Sequence, residues 1–302
     1  MNEQPGPISS SMNETMFFLE AYATPGQAAF AGMAAVLGLL VGSFLNVVIH
    51  RLPIMMLRDS ANFVAHERGE ALPHGDRYDL WLPHSACPHC QAPIALHHKV
   101  PVLSWLLLGG RCAHCKASIG WRYPAVEVLT AVLFALVAWR FGVGLTGLAV
   151  MVCAALLVAL AFIDAQTMLL PDDLTLPLLW LGLLVNLNHH IVPLHDAVLG
   201  AMAGYGVLWL IFWIFKLITG KDGLGYGDFK LMGALGAWLG WQALPLVLLV
   251  ASATGAVLGL AMLLGGRHQR GQAIPFGPCL AIAGLLSLLL GTHWMSLGIY
   301  DY

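Results

Sequence analysis

Long apolar runs constrain this chain more than any other feature. Eight of them, near residues 28–50, 125–141, 144–163, 174–188, 196–218, 229–242, 244–265 and 274–295, are almost free of charge. A helix needs roughly 20 such residues to cross the hydrocarbon core of a bilayer. Hydrophobic residues make up 59% of the sequence and charged residues only 10%, whereas soluble domains are about a quarter charged. The solvent for most of the chain is therefore lipid. Each run is expected to be an α-helix, because hydrocarbon offers no partner to an unpaired backbone N–H or C=O. A transmembrane barrel would need alternating strands of roughly 10 residues in place of continuous runs. The expected fold class is an all-α polytopic membrane protein with about eight transmembrane helices and a cytoplasmic zinc-binding insert.

Basic residues orient the bundle. Of the 14 Lys and Arg residues, those from Arg51 to Arg122, the set Lys216, Lys221 and Lys230, and the pair Arg267 and Arg270 fall on one side. Arg140 alone falls on the other. Basic loops mark the cytoplasmic face, so both termini are expected to be periplasmic and the loops after the first, third, fifth and seventh runs cytoplasmic. The net charge of −2 conceals this asymmetry, which is a topology signal and not a nucleic-acid footprint. Residues 1–27 contain no Lys or Arg, so the basic region of a cleavable signal is missing. The sequence then divides into a periplasmic tail at 1–27, a first transmembrane helix at 28–52, a cytoplasmic four-cysteine domain at 53–123 and a membrane domain at 124–302.

The polar stretch 53–123 is too long for a simple connector. It contains Cys87 and Cys90 in C-P-H-C and Cys112 and Cys115 in C-A-H-C, with 21 residues between the pairs. Paired C-x-x-C knuckles are the pattern of a four-thiolate zinc site. Two disulfides or a redox-active C-x-x-C compete with it, but a cytoplasmic loop is reducing. Four thiolates would fill the coordination sphere and leave no open position, which favours a structural metal. His89 and His114 read as bystanders, and Cys153 and Cys279, within apolar runs, as small hydrophobes.

Carboxylates at membrane depth are costly and usually functional. Asp164 closes the third run in F-I-D-A-Q-T, and Asp228 opens the sixth in G-L-G-Y-G-D-F-K. The topology puts both at the cytoplasmic ends of their helices, where two distant carboxylates can share one level. An aspartic dyad needs that arrangement: one carboxylate takes a proton from water while a protonated partner polarises the scissile carbonyl. Gly225 and Gly227 suit it, because without a Cβ an extended backbone can approach closely. The plainer reading, a cap or a solvated boundary residue, stays open for both aspartates and is preferred for Asp172, Asp173 and Asp222. The G-x-G-x-G-D run lacks the spacing and preceding strand of a dinucleotide fingerprint.

Taken together, the motifs resemble those of the bacterial type IV prepilin leader peptidase and N-methyltransferase family. The likeness covers nearly the whole chain: G-S-F-L-N-V-V-I-H-R-L-P from Gly42, both knuckles, P-V-L-S-W-L-L-L-G-G-R-C from Pro101, R-Y-P-A-V-E from Arg122, the Asp164 segment through Pro177, the Gly225–Asp228 motif, and I-P-F-G-P from Ile274. The resemblance implies an inner-membrane enzyme with Asp164 and Asp228 as its catalytic pair. Such an enzyme cuts the basic leader from prepilins or pseudopilins at the cytoplasmic face, after a Gly. It then methylates the new N-terminal residue with S-adenosylmethionine as methyl donor. Gly110 and Glu127 match positions linked to methyl transfer, though a turn and a helix start explain them equally. Asn46 and Arg51 are interface anchors or contacts to cofactor or leader. Two other functions stay open: a peptidase whose insert only docks the leader, and a transporter whose aspartates carry protons or ions.

Overall fold

The computed structural model describes residues 25–95, 98, 100–221, 223–264 and 275–291. The predicted tail through residue 24, Lys99, Asp222, Arg267, Arg270 and Ile274 lie outside the described residues. The architecture is all-α. The described helices are α1 (Pro25–Glu67), the short α2 (Leu103–Leu107), α3 (Arg122–Phe141), α4 (Leu145–Thr167), α5 (Asp172–Asn186), α6 (Leu194–Thr219), α7 (Tyr226–Leu239), α8 (Leu244–Leu264) and α9 (Gly277–Leu290). Pairing of β type among the described residues is limited to two isolated bridges, Ala86 with Pro93 and Arg111 with Ser118.

Within the described residues every predicted run falls on a helix, but a count of eight crossings is not established. Five helical segments are long and apolar enough to span a bilayer by length and composition: Gly26–Glu67, Arg122–Phe141, Leu145–Thr167, Leu194–Thr219 and Trp241–Met262. The other three, α5, α7 and α9, have 15, 14 and 14 residues. At 1.5 Å per residue they reach only about 22 Å, short of the roughly 30 Å hydrocarbon core. α7 is the most thoroughly buried helix, and Phe229, Leu235 and Trp238 on it and Leu280 and Ala283 on α9 are fully buried. With the long α4, itself mostly buried, they form the centre of the bundle, and the other long helices carry much of its exposed apolar surface.

Close packing depends on glycine at two crossings. A Cβ on Gly38 would stand 2.7 Å from Ala131 Cα and one on Gly42 2.7 Å from Glu127 Cα, so this small-xxx-small stripe of α1 lies directly on α3. Between α6 and α7, a Cβ on Gly236 would stand 2.1 Å from the Gly200 carbonyl oxygen. Polar side chains then fix the register. Asn186 Nδ2 donates to the Ala237 carbonyl at 2.9 Å, and Trp238 Nε1 to the Leu178 carbonyl at 2.9 Å. Both tie α5 to the end of α7.

The first helix differs from expectation at its inner end. The predicted run stops at residue 50, yet α1 continues through Pro53 to Glu67. The polar stretch 66–79 folds back along this extension and supports it. Asn62 exchanges hydrogen bonds with the backbone of His74 at 2.9 and 3.0 Å. Arg58 pairs with Asp76 at 3.1 Å and lies over the Tyr78 ring, 4.3 Å from its centroid.

Candidate active site and metal centre

Asp164 sits in the last turn of α4, just before Met168 ends the helix with a left-handed φ of 55°. Its Oδ2 accepts the Gly277 backbone N–H at 2.9 Å, from the first residue of α9. A Cβ at residue 277 would stand 2.7 Å from that same oxygen, so only glycine lets the amide reach the carboxylate. Asp228 is the third residue of α7, and its Oδ2 accepts the Gly225 N–H at 3.1 Å. Each carboxylate is therefore held by a backbone donor, one from a distant segment and one from its own helix cap. Both are buried, at 5% and 6% exposure.

The two groups face one cleft. A cavity of about 230 Å³ is lined by Asp164, Asp228, Gly225, Gly227, Lys230 and the 168–170 segment. Gly225 is extended, with φ −83° and ψ 149°, as expected for a helix cap. Gly227 is not extended. It is helical, and its missing Cβ matters for a different reason, since a Cβ there would stand 2.6 Å from Leu170 Cβ. The connection from α4 to α5 thus closes over the start of α7. Lys230 Nζ contacts both Asp172 oxygens at 2.7 Å, joining the starts of α5 and α7 at the rim of the cleft. The sequence reading missed Gly277 and this ion pair. The only available signal was the I-P-F-G-P motif, whose glycine stands more than a hundred residues from its carboxylate.

The second site is assembled within the insert. The sulfurs of Cys87, Cys90, Cys112 and Cys115 all lie within 4.8 Å of one another, with Cys87 Sγ 3.7 Å from Cys115 Sγ. A tetrahedron with Zn–S bonds of about 2.3 Å has sulfur–sulfur edges of about 3.8 Å. Four thiolates at this separation can hold a metal such as zinc. The two knuckles repeat one geometry. Gln91 N donates to the Cys87 carbonyl and Lys116 N to the Cys112 carbonyl, and Gln91 and Lys116 both take left-handed φ, 57° and 59°. The backbone N–H groups of Cys90 and His89 lower the Cys87 thiol pKa, and those of Cys115 and His114 hold Cys112 down to about 6. His89 and His114 thus contribute backbone donors to the knuckles and are not among the four clustered ligands.

Gly110 and Glu127 are not in either site. Gly110 has φ 66°, and a Cβ there would stand 2.9 Å from the Trp105 indole. Glu127, buried in the second turn of α3, accepts the Val102 N–H at 2.7 Å. Asn46 Nδ2 donates to the Tyr123 carbonyl at 3.0 Å, and buried Arg51 donates to the carbonyls of Asp79 and Pro83. These contacts join α1, the insert and the start of α3.

Residues 36–141 match the bacterial peptidase A24 N-terminal domain and residues 151–260 the type IV leader peptidase family. The chain is 55% identical over 262 residues to the prepilin leader peptidase/N-methyltransferase of Aeromonas salmonicida (strain A449), covering 85% of this chain and 90% of the relative. The chain belongs to the type IV leader peptidase family. The corresponding Pseudomonas aeruginosa protein is 52% identical over 268 residues, covering 87% and 91% of the two chains. The Burkholderia pseudomallei (strain 1026b) protein is 50% identical over 264 residues, covering 86% and 85%. No solved structure matches the chain. The leader-peptidase match contains Asp164 and Asp228 but ends before Gly277, so the amide that holds Asp164 comes from beyond it.

Proposed function

We propose that this chain is an aspartic endopeptidase of the bacterial inner membrane that removes the basic leader from prepilins or pseudopilins and then methylates the new N-terminal residue. The observation that carries the reading is the pair Asp164 and Asp228 facing one cleft. Two close carboxylates resist double ionisation and retain one proton between them. The ionised member takes a proton from water as the oxygen attacks the scissile carbonyl, and the protonated member passes its proton to the carbonyl oxygen, giving a gem-diol. The newly protonated member then gives its proton to the departing amine as the C–N bond breaks, and the other takes one back from the gem-diol as the new carboxyl group forms, which leaves the dyad with one proton again. Gly277 and Gly225 aim the carboxylates throughout. Asp164 lies near the cytoplasmic end of α4, where the basic loops place the active side, and both termini are periplasmic in this arrangement. A basic leader stays on the same side by the same rule.

In this reading the chain divides into a tail at 1–27, a first transmembrane segment at 28–52 that belongs to the longer helix Pro25–Glu67, a four-cysteine methyl-transfer part at 53–123 and a protease part at 124–302. Zinc on Cys87, Cys90, Cys112 and Cys115 is structural: it would crosslink the two knuckles, and no catalytic step passes through it. S-adenosylmethionine would supply the methyl group. Glu127 accepts the Val102 N–H and Gly110 lies against the Trp105 indole. They shape the methyl-transfer part by fixing the 102–110 segment. Purified protein in lipid, given a synthetic prepilin with and without S-adenosylmethionine, tests both activities by mass spectrometry. Leader loss in both samples, with one added methylene only when the donor is present, is expected. Leader loss without methylation would leave a peptidase with a docking insert, and an intact substrate would overturn the reading.

A further inference from the structure

The insert between α1 and α3 packs back against both of these helices. Trp81 packs its ring on Phe44, centroids 6.4 Å apart. Phe44 is seven residues before Arg51, and at 1.5 Å per residue it lies about 10 Å inside the apolar helix from that basic boundary. On the other side of the insert, Val102 donates its N–H to Glu127, five residues inside α3 from Arg122, or about 7 Å. Gly42 lies directly against Glu127, so the two attachment points share one level. That level lies on the apolar side of Arg51 and Arg122 along their helices.

Both attachments end in exposed apolar side chains. Trp81 is 74% exposed, and Leu107, in the helix that starts just after Val102, is 78% exposed, with Leu103 and Leu106 exposed beside it. Neither tip is free to swing away. Asp79 Oδ1 accepts the Trp81 and Leu82 N–H groups at 2.7 Å each. Arg51 binds the carbonyls on either side of that turn. Val102 is held at φ 58°, a costly conformation for a β-branched residue, by its bond to Glu127. Leucines and a tryptophan fixed at this depth would be poorly placed in water.

We propose that the insert rests on the bilayer through two apolar feet, Trp81–Leu82 and Leu103–Leu107, which enter the boundary between headgroups and acyl chains on the basic side. The partner is the lipid surface itself. Trp121, 74% exposed, directly precedes Arg122 at the start of α3, the interfacial position that tryptophan favours. Exposed Arg111 and Lys116 on the second knuckle complement anionic headgroups. The four-cysteine module is thereby held flat against the membrane surface.

The test uses the full chain with its native cysteines, carrying a ketone-bearing residue at position 107 or, separately, 81, to which a nitroxide is coupled through an oxime. The protein is reconstituted in vesicles of phosphatidylethanolamine and phosphatidylglycerol, and metal content is measured to confirm an intact insert. Relaxation by oxygen, which partitions into lipid, is compared with relaxation by a water-soluble reagent. Labels at Val36 on the exposed face of α1 and at Glu70 in the insert serve as lipid and water references. Positions 81 and 107 should resemble Val36, with an oxygen-to-water ratio several-fold above that at Glu70. A ratio matching Glu70 overturns the proposal. Shielding from both reagents also overturns it, because the feet would then be covered by protein, either a second copy or a bound helix. A label at 106 repeats the test should the 107 variant lose its metal.

Discussion

The two sites of this protein are built in opposite ways. The four thiols come from two short knuckles with one repeated backbone geometry, and each knuckle needs only its own few residues to form. The aspartate pair proposed as the dyad draws on three separated segments: the end of α4, the start of α7 and the first residue of α9. A local site survives changes elsewhere in the molecule. A site assembled from helix ends depends on every crossing that positions those ends, and here the crossings are glycine contacts with no room for a methyl group. The protease half is accordingly expected to be sensitive to substitutions that the metal site ignores.

The strongest break of the comparison is at the carboxylates. Asp164→Asn or Asp228→Asn removes the only member able to act as base or acid at its position. Leader cleavage should fall by roughly 10³-fold or more, while bound metal per chain stays at the wild-type value. Near-native cleavage by either variant would remove that residue from the chemistry. Gly277→Ala comes next. A Cβ 2.7 Å from Asp164 Oδ2 must push the carboxylate or the α9 start aside, and misplacing a reacting group by about 1 Å can cost on the order of 10² in rate. Cleavage assayed beside metal content should show that loss with the insert untouched. Wild-type cleavage by this variant would mean that the amide does not aim the carboxylate.

The same difference explains what could be read from the sequence. The cysteine pairs were legible because spacing alone defines a knuckle, although the left-handed turns fell on Gln91 and Lys116, where glycine would be the usual signal. Both aspartates were legible as charges beside apolar runs. Their partners were less so: Gly277 reaches Asp164 across 113 residues, and no local pattern announces such a contact. The helical class was plain, but the inner end of α1 was misplaced. The change from apolar to polar composition argued for an end near residue 50, and the extension to Glu67 is supported by Asn62, Arg58 and Tyr78 contacts that form only after the chain folds back. The number of crossings was not legible either, since a run of 14 or 15 residues is apolar whether it spans lipid or fills the centre of a bundle.

Breaking the metal site tests the comparison from the other side. Cys87→Ser leaves three thiolates and should lower bound metal, measured by elemental analysis on the purified chain. If the metal is structural and confined to the insert, cleavage should change by less than about tenfold, under about 1.4 kcal/mol in the barrier. Methylation should suffer more than cleavage. Unchanged metal content would contradict the four-thiolate assignment, and loss of cleavage equal to that of the aspartate variants would show that the two sites are not independent.

The smallest expected effect is at the rim of the cleft. Lys230 and Asp172 pair at 2.7 Å but are partly exposed, at 35% and 52% of their side chains, and exposed pairs of this kind are worth about 0.2–1 kcal/mol. As a latch between the starts of α5 and α7, the pair should behave as one unit. Lys230→Met, Asp172→Asn and the double variant should each slow cleavage by the same small factor, no more than about fivefold for 1 kcal/mol, and the pH profile should keep its position. Lys230 also lines the cavity with both aspartates, so a direct electrostatic role has a distinct signature. If its ammonium biases the dyad, Lys230→Met moves the acid limb of the profile upward while Asp172→Asn does not, because only the first removes positive charge from beside the carboxylates. Equal rates with a stationary profile in all three variants leave the pair as a mechanical clasp, whose contribution is to hold two helix ends in the register the dyad requires.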